Sequence, residues 1–186
     1  MPTFERILTD RLVLRRPIAQ DAATIFAAHS ADQEVTRYLS WPRHTSVVQS
    51  SAFIEYSDSE WTRWSAGPYI IETRNGILIG GTGYSFQTAQ RAETGYVLAR
   101  PYWGNGYATE ALRSLIRIAG ELGIRQLYAF CHVNQRASSR VLEKCEFTRE
   151  GILRAHTEFP NDKPGRLQDA ICYSRTCGTD AGPVLG

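Results

Sequence analysis

The spacing of apolar residues changes several times along the chain, and each change predicts an element. Leu12 and Leu14 alternate with Arg11, Val13 and Arg15, the period of a strand, and Pro17 ends it by withdrawing an amide donor. Asp21 opens a helical stretch reaching Leu39, with Ala22, Ile25, Phe26 and Ala28 in one short helix and Val35, Tyr38 and Leu39 in a second, before Trp41-Pro42 breaks it. From Thr45, a candidate cap, Val47, Ile54, Trp61 and Trp64 share a helical face that Gly67-Pro68 terminates. The runs Tyr69 to Thr73 and Ile77 to Ser85 predict an antiparallel pair joined by a tight turn at Asn75-Gly76.

A strand over Ala92 to Ala99 follows. After a glycine-containing turn, Ala108, Ala111, Leu112, Leu115, Ile116 and Ala119 mark the strongest helical face in the chain. Gln126 to Val133 carries apolar residues on both faces, as a central strand does. Ala137 to Cys145 reads as a helix with Val141, Leu142 and Cys145 inward. A strand near Phe147 to Thr157, a polar turn at Pro160 to Gly165 and a last strand near Leu167 to Arg175 complete the order. No repeat or linker interrupts it, so residues 1–175 are expected to form one α/β domain, a mixed sheet with helices on its faces, and the Gly- and Pro-containing stretch from Thr176 a loose tail.

Composition narrows the function. The 186 residues are 42% hydrophobic and 22% charged, enough apolar material for one core. Twenty-one basic and 19 acidic residues are dispersed, with a net charge of +2 and no basic stripe, so neither a nucleic acid nor a membrane surface is the expected partner. Met1 to Arg16 lacks the apolar core of a signal peptide and no window approaches a membrane span, which predicts a cytosolic (cytoplasmic) protein. Cys131, Cys145, Cys172 and Cys177 form no Cys-x-x-Cys pair and read as free thiols. With His132 they lack metal-ligand spacing, so no metal is expected.

The chemistry is concentrated where a strand hands over to a helix, at Trp103-Gly104-Asn105-Gly106-Tyr107-Ala108. Glycines there let successive backbone amides point outward, and a diphosphate would meet donors without helical partners at the positive end of the helix dipole. An ordinary strand-to-helix turn would use the same residues. No Gly-x-x-x-x-Gly-Lys-Ser/Thr run supports a nucleotide-phosphate domain.

The wider pattern resembles the GCN5-related N-acetyltransferase (GNAT) superfamily, and within it the branch of ribosomal-protein-alanine (RimJ/RimL-type) acetyltransferases. The segments that carry the resemblance are Thr9 to Arg15, Glu93 to Leu98, Gly106 to Leu112, Arg140 to Lys144, Arg149 to Arg154 and Asp169 to Tyr173. Their order and spacing together are specific. The resemblance implies a mostly antiparallel sheet of roughly seven strands, with a V-shaped splay between the strand ending at Val97 to Ala99 and the one ending near Val133. It implies acetyl-coenzyme A as acyl donor, without a metal, and transfer to a primary amine. A protein N-terminal α-amine comes first as acceptor, with a small-molecule amine (antibiotic, polyamine or amino acid) as the alternative. A coenzyme-binding module without transfer activity is a third reading, and the protein is expected to be a monomer or homodimer.

By the same resemblance, Val97, Leu98 and Ala99 bind the pantetheine arm. Trp103, Gly104, Asn105, Gly106, Tyr107, Ala108 and Thr109 bind the diphosphate, with Asn134 and Ser138 contributing from the later helix. Gly106 and Ala108 match the family's coenzyme motif; Trp103 departs from its Gln/Arg position. Asn134 stands one place before the usual Asn, where this chain has Gln135, and Glu146 replaces a usual Gly. Ser138 is either the proton donor to the thiolate or a helix cap. Glu93 either binds the substrate ammonium or passes its proton to water, or is an edge-exposed strand carboxylate without such a role. Trp41, His156 and Glu158 are candidate acceptor-binding residues, with a solvent-facing His and packing of Trp41 in the helical layer as the plainer readings. Glu110 is accounted for by the helix dipole. The tyrosine that many relatives carry in the later helix is missing between Ala137 and Phe147. An α-amine, with a reference pKa of about 8, is partly neutral at working pH, so positioning can supply much of the catalysis.

Overall fold

A computed structural model describes residues 4–178. Eight strands form one sheet: β1 (Arg6–Leu8), β2 (Leu12–Arg15), β3 (Pro68–Thr73), β4 (Leu78–Thr88), β5 (Arg91–Leu98), β6 (Gln126–His132), β7 (Thr148–Glu158) and β8 (Leu167–Thr176). Their spatial order is β1-β2-β3-β4-β5-β6-β8-β7, antiparallel throughout except where β5 meets β6 in parallel. That one parallel contact is short, Arg91 to Glu93 against Gln126 to Tyr128, after which the two strands part. The expected splay is therefore present. The strand count exceeds the expected seven because β1 holds only three residues with Ile7 alone buried, too short to show a period.

The alternation in β2 is interrupted, since Val13 is buried along with Leu12 and Leu14. Leu12 and Leu14 enter the main core and Val13 faces the other way, the signature of a strand covered on both sides. The stretch expected to hold two short helices contains α1 (Ala22–Ile25), a π-helical turn (Phe26–Ser30) and α2 (Gln33–Thr36). Asp32 caps α2, its carboxylate accepting from the amides of Glu34 and Val35. The long helix α3 (Val47–Trp64) starts at Ser46 rather than Thr45, and ends where Ser65 adopts a left-handed φ of 58°. At Asn75-Gly76 only the glycine has positive φ, and the amides of Gly76 and Thr73 close a three-residue loop rather than a two-residue one.

The helix α4 (Tyr107–Glu121) lays Ala111, Leu112, Leu115, Ile118 and Ala119 on the core; Ile116, expected inward, is only partly buried. Tyr84 ties β4 to it by donating to the Leu115 carbonyl at 2.5 Å. The helix α5 (Arg136–Lys144) ends in a turn normally built on glycine. Glu146 takes φ 60°, the Phe147 amide donates back to the Leu142 carbonyl, and the Glu146 carboxylate accepts from Arg175 at 2.7 Å.

The last strand runs one residue past its expected end: Thr176 pairs with Gln126, and the buried Cys177 donates its amide to Arg125 at 2.8 Å. Residues 179–186 of the expected tail lie outside the described residues. All four cysteines are free, and among the described residues no helix is long and apolar enough to cross a membrane.

Candidate functional site

Two glycines with positive φ, Gly104 (77°) and Gly106 (80°), shape the turn before α4. None of the amides from Gly104 to Thr109 donates to a protein acceptor among the described residues. A continuous row of outward donors at a helix start fits a diphosphate without help from side chains. The row is braced from the β1–β2 turn. Arg11 Nη1 donates to the Asn105 carbonyl at 3.0 Å, the guanidinium lies 4.5 Å over the Tyr107 ring, and Nε pairs with Glu110 at 2.6 Å.

Glu110 also accepts from the Thr9 hydroxyl and the Arg11 amide. Partial burial would raise this carboxyl, but these hydrogen bonds outweigh it and hold the group below its ordinary value. Glu110 is thus a strap between the β1–β2 turn and α4, beyond the dipole partner that its position alone implied. Trp103 has a similar part: its indole N–H donates to the Leu98 carbonyl at 2.6 Å, joining the turn to the end of β5.

Beyond Glu93 and Tyr128, one edge of β5 faces open space. The Ala99 amide donates to Ile79, which makes 99 and 79 a bonded antiparallel pair; alternation then turns the backbone groups of Val97 toward Gly81 and those of Tyr96 and Leu98 toward the gap. Val97 and Ala99, expected to bond the pantetheine arm, are engaged with β4. Tyr96 and Leu98 present their backbone instead, with the Leu98 carbonyl already taken by Trp103.

Side chains of β5 also divide by face. Ala92, Tyr96 and Leu98 point to the α4–α5 side, while Glu93 and Val97 point to the α1–α3 side. A cavity of about 700 Å³ runs through the splay and is lined from both sides. On the α5 side it meets Tyr96, Ser138 and Leu142; on the other it meets Glu93, His29, Trp41, Phe130 and His156. The Tyr96 hydroxyl lies 2.8 Å from the Ser138 carbonyl and 3.0 Å from its Oγ, a bond across the gap. Burial pushes the Tyr96 phenol far up, so it stays protonated. Ser138 is not the cap of α5, which is Gln135.

Burial also raises the Glu93 carboxyl. His29, in the π turn, is pulled down to about 4 by burial and by the neighbouring His44, and its Nδ1 has no hydrogen-bond partner among the described residues. Burial lowers His44 as well, and its Nδ1 lies 2.9 Å from Ser50 Oγ.

The structure brings together Glu93, Val97, Ser138, Trp41 and His156 around one cavity; apart from the end of β5 and the coenzyme turn, the expected residues outside it are Asn134 and Glu158. Asn134 is exposed, its amide donating to His132 Nδ1, and Gln135 lines the cavity in its stead. Glu158 is exposed and accepts from the Gly165 amide, closing the β7–β8 turn. His156 reaches the cavity because β7 carries a bulge between Leu153 and Thr157, with Ala155 at φ 46°. Sequence reasoning missed Tyr96, having looked for a tyrosine in α5, and missed Arg11. Alternation in β5 assigns Tyr96 to the helix side, but no local pattern reports what stands across a gap. Among the described residues no group of three or more metal-ligating side chains converges.

Comparison with known proteins agrees with this geometry. The chain is 35% identical over 170 residues to the uncharacterized N-acetyltransferase YoaA of Bacillus subtilis, covering 87% of this chain and 92% of that protein. Its fold matches RimL, a ribosomal-protein α-N-acetyltransferase solved with coenzyme A, at TM-score 0.84 and 22% identity over 95% of this chain and all of that one. It also matches the spermidine N-acetyltransferase of Vibrio cholerae, solved with coenzyme A and spermine, at TM-score 0.76 and 18% identity over 91% of this chain and 97% of that one. The model of the acetyltransferase (GNAT) domain family covers residues 11–148, from the Arg11 brace through the coenzyme turn and α5, and the chain belongs to that family of acetyl-coenzyme A-dependent N-acetyltransferases.

Proposed function

We propose that the chain transfers acetyl from acetyl-coenzyme A to a primary amine by direct attack in a ternary complex, the two substrates entering the splay from opposite faces. The observation that carries this reading is the separation of two polar groups along one passage: Glu93 on the α1–α3 side, the Ser138–Tyr96 hydroxyl pair on the α5 side. The amide row from Gly104 to Thr109 seats the diphosphate, and the open backbone of Tyr96 and Leu98 guides the arm inward. Glu93, raised by burial toward a useful basicity, accepts the proton lost by the attacking amine. The nitrogen–carbon bond forms as the carbon–sulfur bond breaks, and the Ser138–Tyr96 pair gives a proton to the departing thiolate.

Resemblance placed a protein N-terminus first among acceptors, and the fold likeness to RimL supports it. The side chains of the cavity support the alternative, a small-molecule amine, because eight Trp, Tyr and Phe rings line it and, among the described residues, one carboxylate. Purified protein incubated with acetyl-coenzyme A and a panel of amines and peptides tests the transfer itself. Thiol release with at least one primary amine, lost in Glu93→Gln, is expected. Tight coenzyme binding with no release for any of them would overturn it.

A further inference from the structure

The acceptor side of the cavity has two aromatic jaws. One is Trp41 with His44, ring centroids 5.2 Å apart, on the loop between α2 and α3. The other is Phe130 with His156, 4.8 Å apart, carried by β6 and β7. The second jaw exists only because of the β7 bulge, where the non-glycine Ala155 is held in the left-handed region and its amide is fixed by the Asp169 carboxylate at 2.9 Å. Such strain persists where the surrounding structure enforces it.

The jaws are fastened to each other through Asn161, in the turn after β7. Its Nδ2 donates to the carbonyls of Thr36 and Trp41, each at 2.9 Å, and its Oδ1 accepts from the Arg43 amide at 2.8 Å. The loop bearing Trp41 and His44 is thereby held against the turn that follows His156. Beside it, Arg37 pairs with Asp162 at 3.0 Å.

Charge completes the description. Among the described residues, Glu93 is the one carboxylate lining the cavity, and no Lys or Arg lines it. An amino acid's carboxylate or a phosphate would find neither a Lys nor an Arg there, and a polyamine's further ammonium groups would find no second carboxylate. Flat rings instead favour a planar apolar body, which gains from stacking and from burial.

Resting on the acetyl-transfer reading above, we propose that the acceptor is a small arylalkylamine: its aromatic ring is gripped between the Trp41/His44 and Phe130/His156 jaws, its single amine is aimed at Glu93, and Asn161 is the positioning residue that sets the jaws.

The test uses the whole chain with tryptamine and 2-phenylethylamine, set against hexylamine, free tryptophan, spermidine and a peptide beginning with alanine. The arylalkylamines should have a kcat/KM about 10-fold or more above hexylamine, and free tryptophan should be almost inert. Trp41→Ala should raise the KM for tryptamine about 10-fold while leaving the KM for acetyl-coenzyme A unchanged. Asn161→Ala should raise the same KM without lowering kcat in proportion, whereas a purely structural role would lower thermal stability alone. Preference for the alanine peptide or spermidine over tryptamine would overturn the arylalkylamine proposal and leave acetyl transfer standing. Calorimetric binding of tryptamine to the protein–coenzyme A complex separates the two ideas. Saturable binding there, with no turnover when acetyl-coenzyme A replaces coenzyme A, would sink the transfer reading and uphold the jaws, and no binding would sink the jaws.

Discussion

The two ends of the passage are made of different material. At the donor end the groups proposed to bind the coenzyme are backbone amides at a helix start, held open by Gly104 and Gly106 and braced by Arg11, Glu110 and Trp103. At the acceptor end they are side chains from five separate stretches, including the π turn, the Trp41 loop, β5, β6 and the β7 bulge. Backbone groups are the same for every sequence that makes the turn, so the donor end tolerates departures such as Trp103. A side-chain wall has no such tolerance. Substitutions at the acceptor end should redirect the enzyme, whereas at the donor end only a change to the turn itself should matter.

The largest expected effect tests the donor end. Gly106→Glu should abolish coenzyme binding, since a side chain at φ 80° is strained and its carboxylate would repel the diphosphate. Unchanged affinity in a folded variant, read by calorimetry, would break the comparison there.

Next comes Glu93→Gln, which should lower kcat by about 100-fold or more with coenzyme affinity unaltered. Its stability should change with pH in a defined direction. The folded carboxyl is raised above its unfolded value by burial, so its stabilising contribution is complete below the unfolded value and is lost as pH rises through the raised one. Glutamine should therefore raise Tm at neutral pH and make little difference in acid. Activity of the unaltered protein should fall as pH drops through the raised value while coenzyme affinity, read from amides, stays level. A parallel fall in both would blur the two ends into one.

Ser138→Ala and Tyr96→Phe should each lower kcat by about 10-fold, more than they change either KM, and the double variant should do little worse than the singles. Additive losses would show that the hydroxyls act apart.

A smaller effect concerns stability at the acceptor wall. His29 is held down to about 4 in the folded protein, so its neutral form is fully favourable above the unfolded value, and stability is lost as pH falls from there toward 4. That loss is on the order of 3 kcal/mol, and His29→Gln should make the acid limb of a Tm-versus-pH curve shallower. The smallest is Ala155→Gly, expected to raise stability by about 1 kcal/mol through relief of the left-handed backbone, while increasing the acceptor KM by freeing His156.

Much of the donor end was legible in the sequence because it is local. Strand, glycine turn and helix follow one another between Ala92 and Ala119, and periodicity and turn chemistry report such neighbours directly. Glu93 and Ser138 were found by resemblance, and their roles remain proposals that the predictions above address. Of the expected residues, Asn134 lies beside the cavity while Gln135, one place on, lines it, and Glu158 closes the β7–β8 turn while His156, two places earlier, lines it. Register within a turn, or a bulge that redirects a side chain, depends on the partner strand. The brief strand β1, the π turn at His29 and the left-handed Glu146 were illegible for a related reason: each is set by what packs against it.

By itself the sequence determined the order of the main elements from β2 onward, the mixed sheet and the glycine turn before α4, since these follow from local propensity, hydrophobic period and the freedom of glycine. Only the tertiary structure decided that β5 and β6 part after Glu93, that Tyr96 meets Ser138 across the gap, and that Trp41 and His156 stand on one cavity fastened by Asn161. The two hydrogen bonds join residues 42 and 120 positions apart, and their geometry is fixed by sheet pairing and packing, which no short stretch of chain encodes alone.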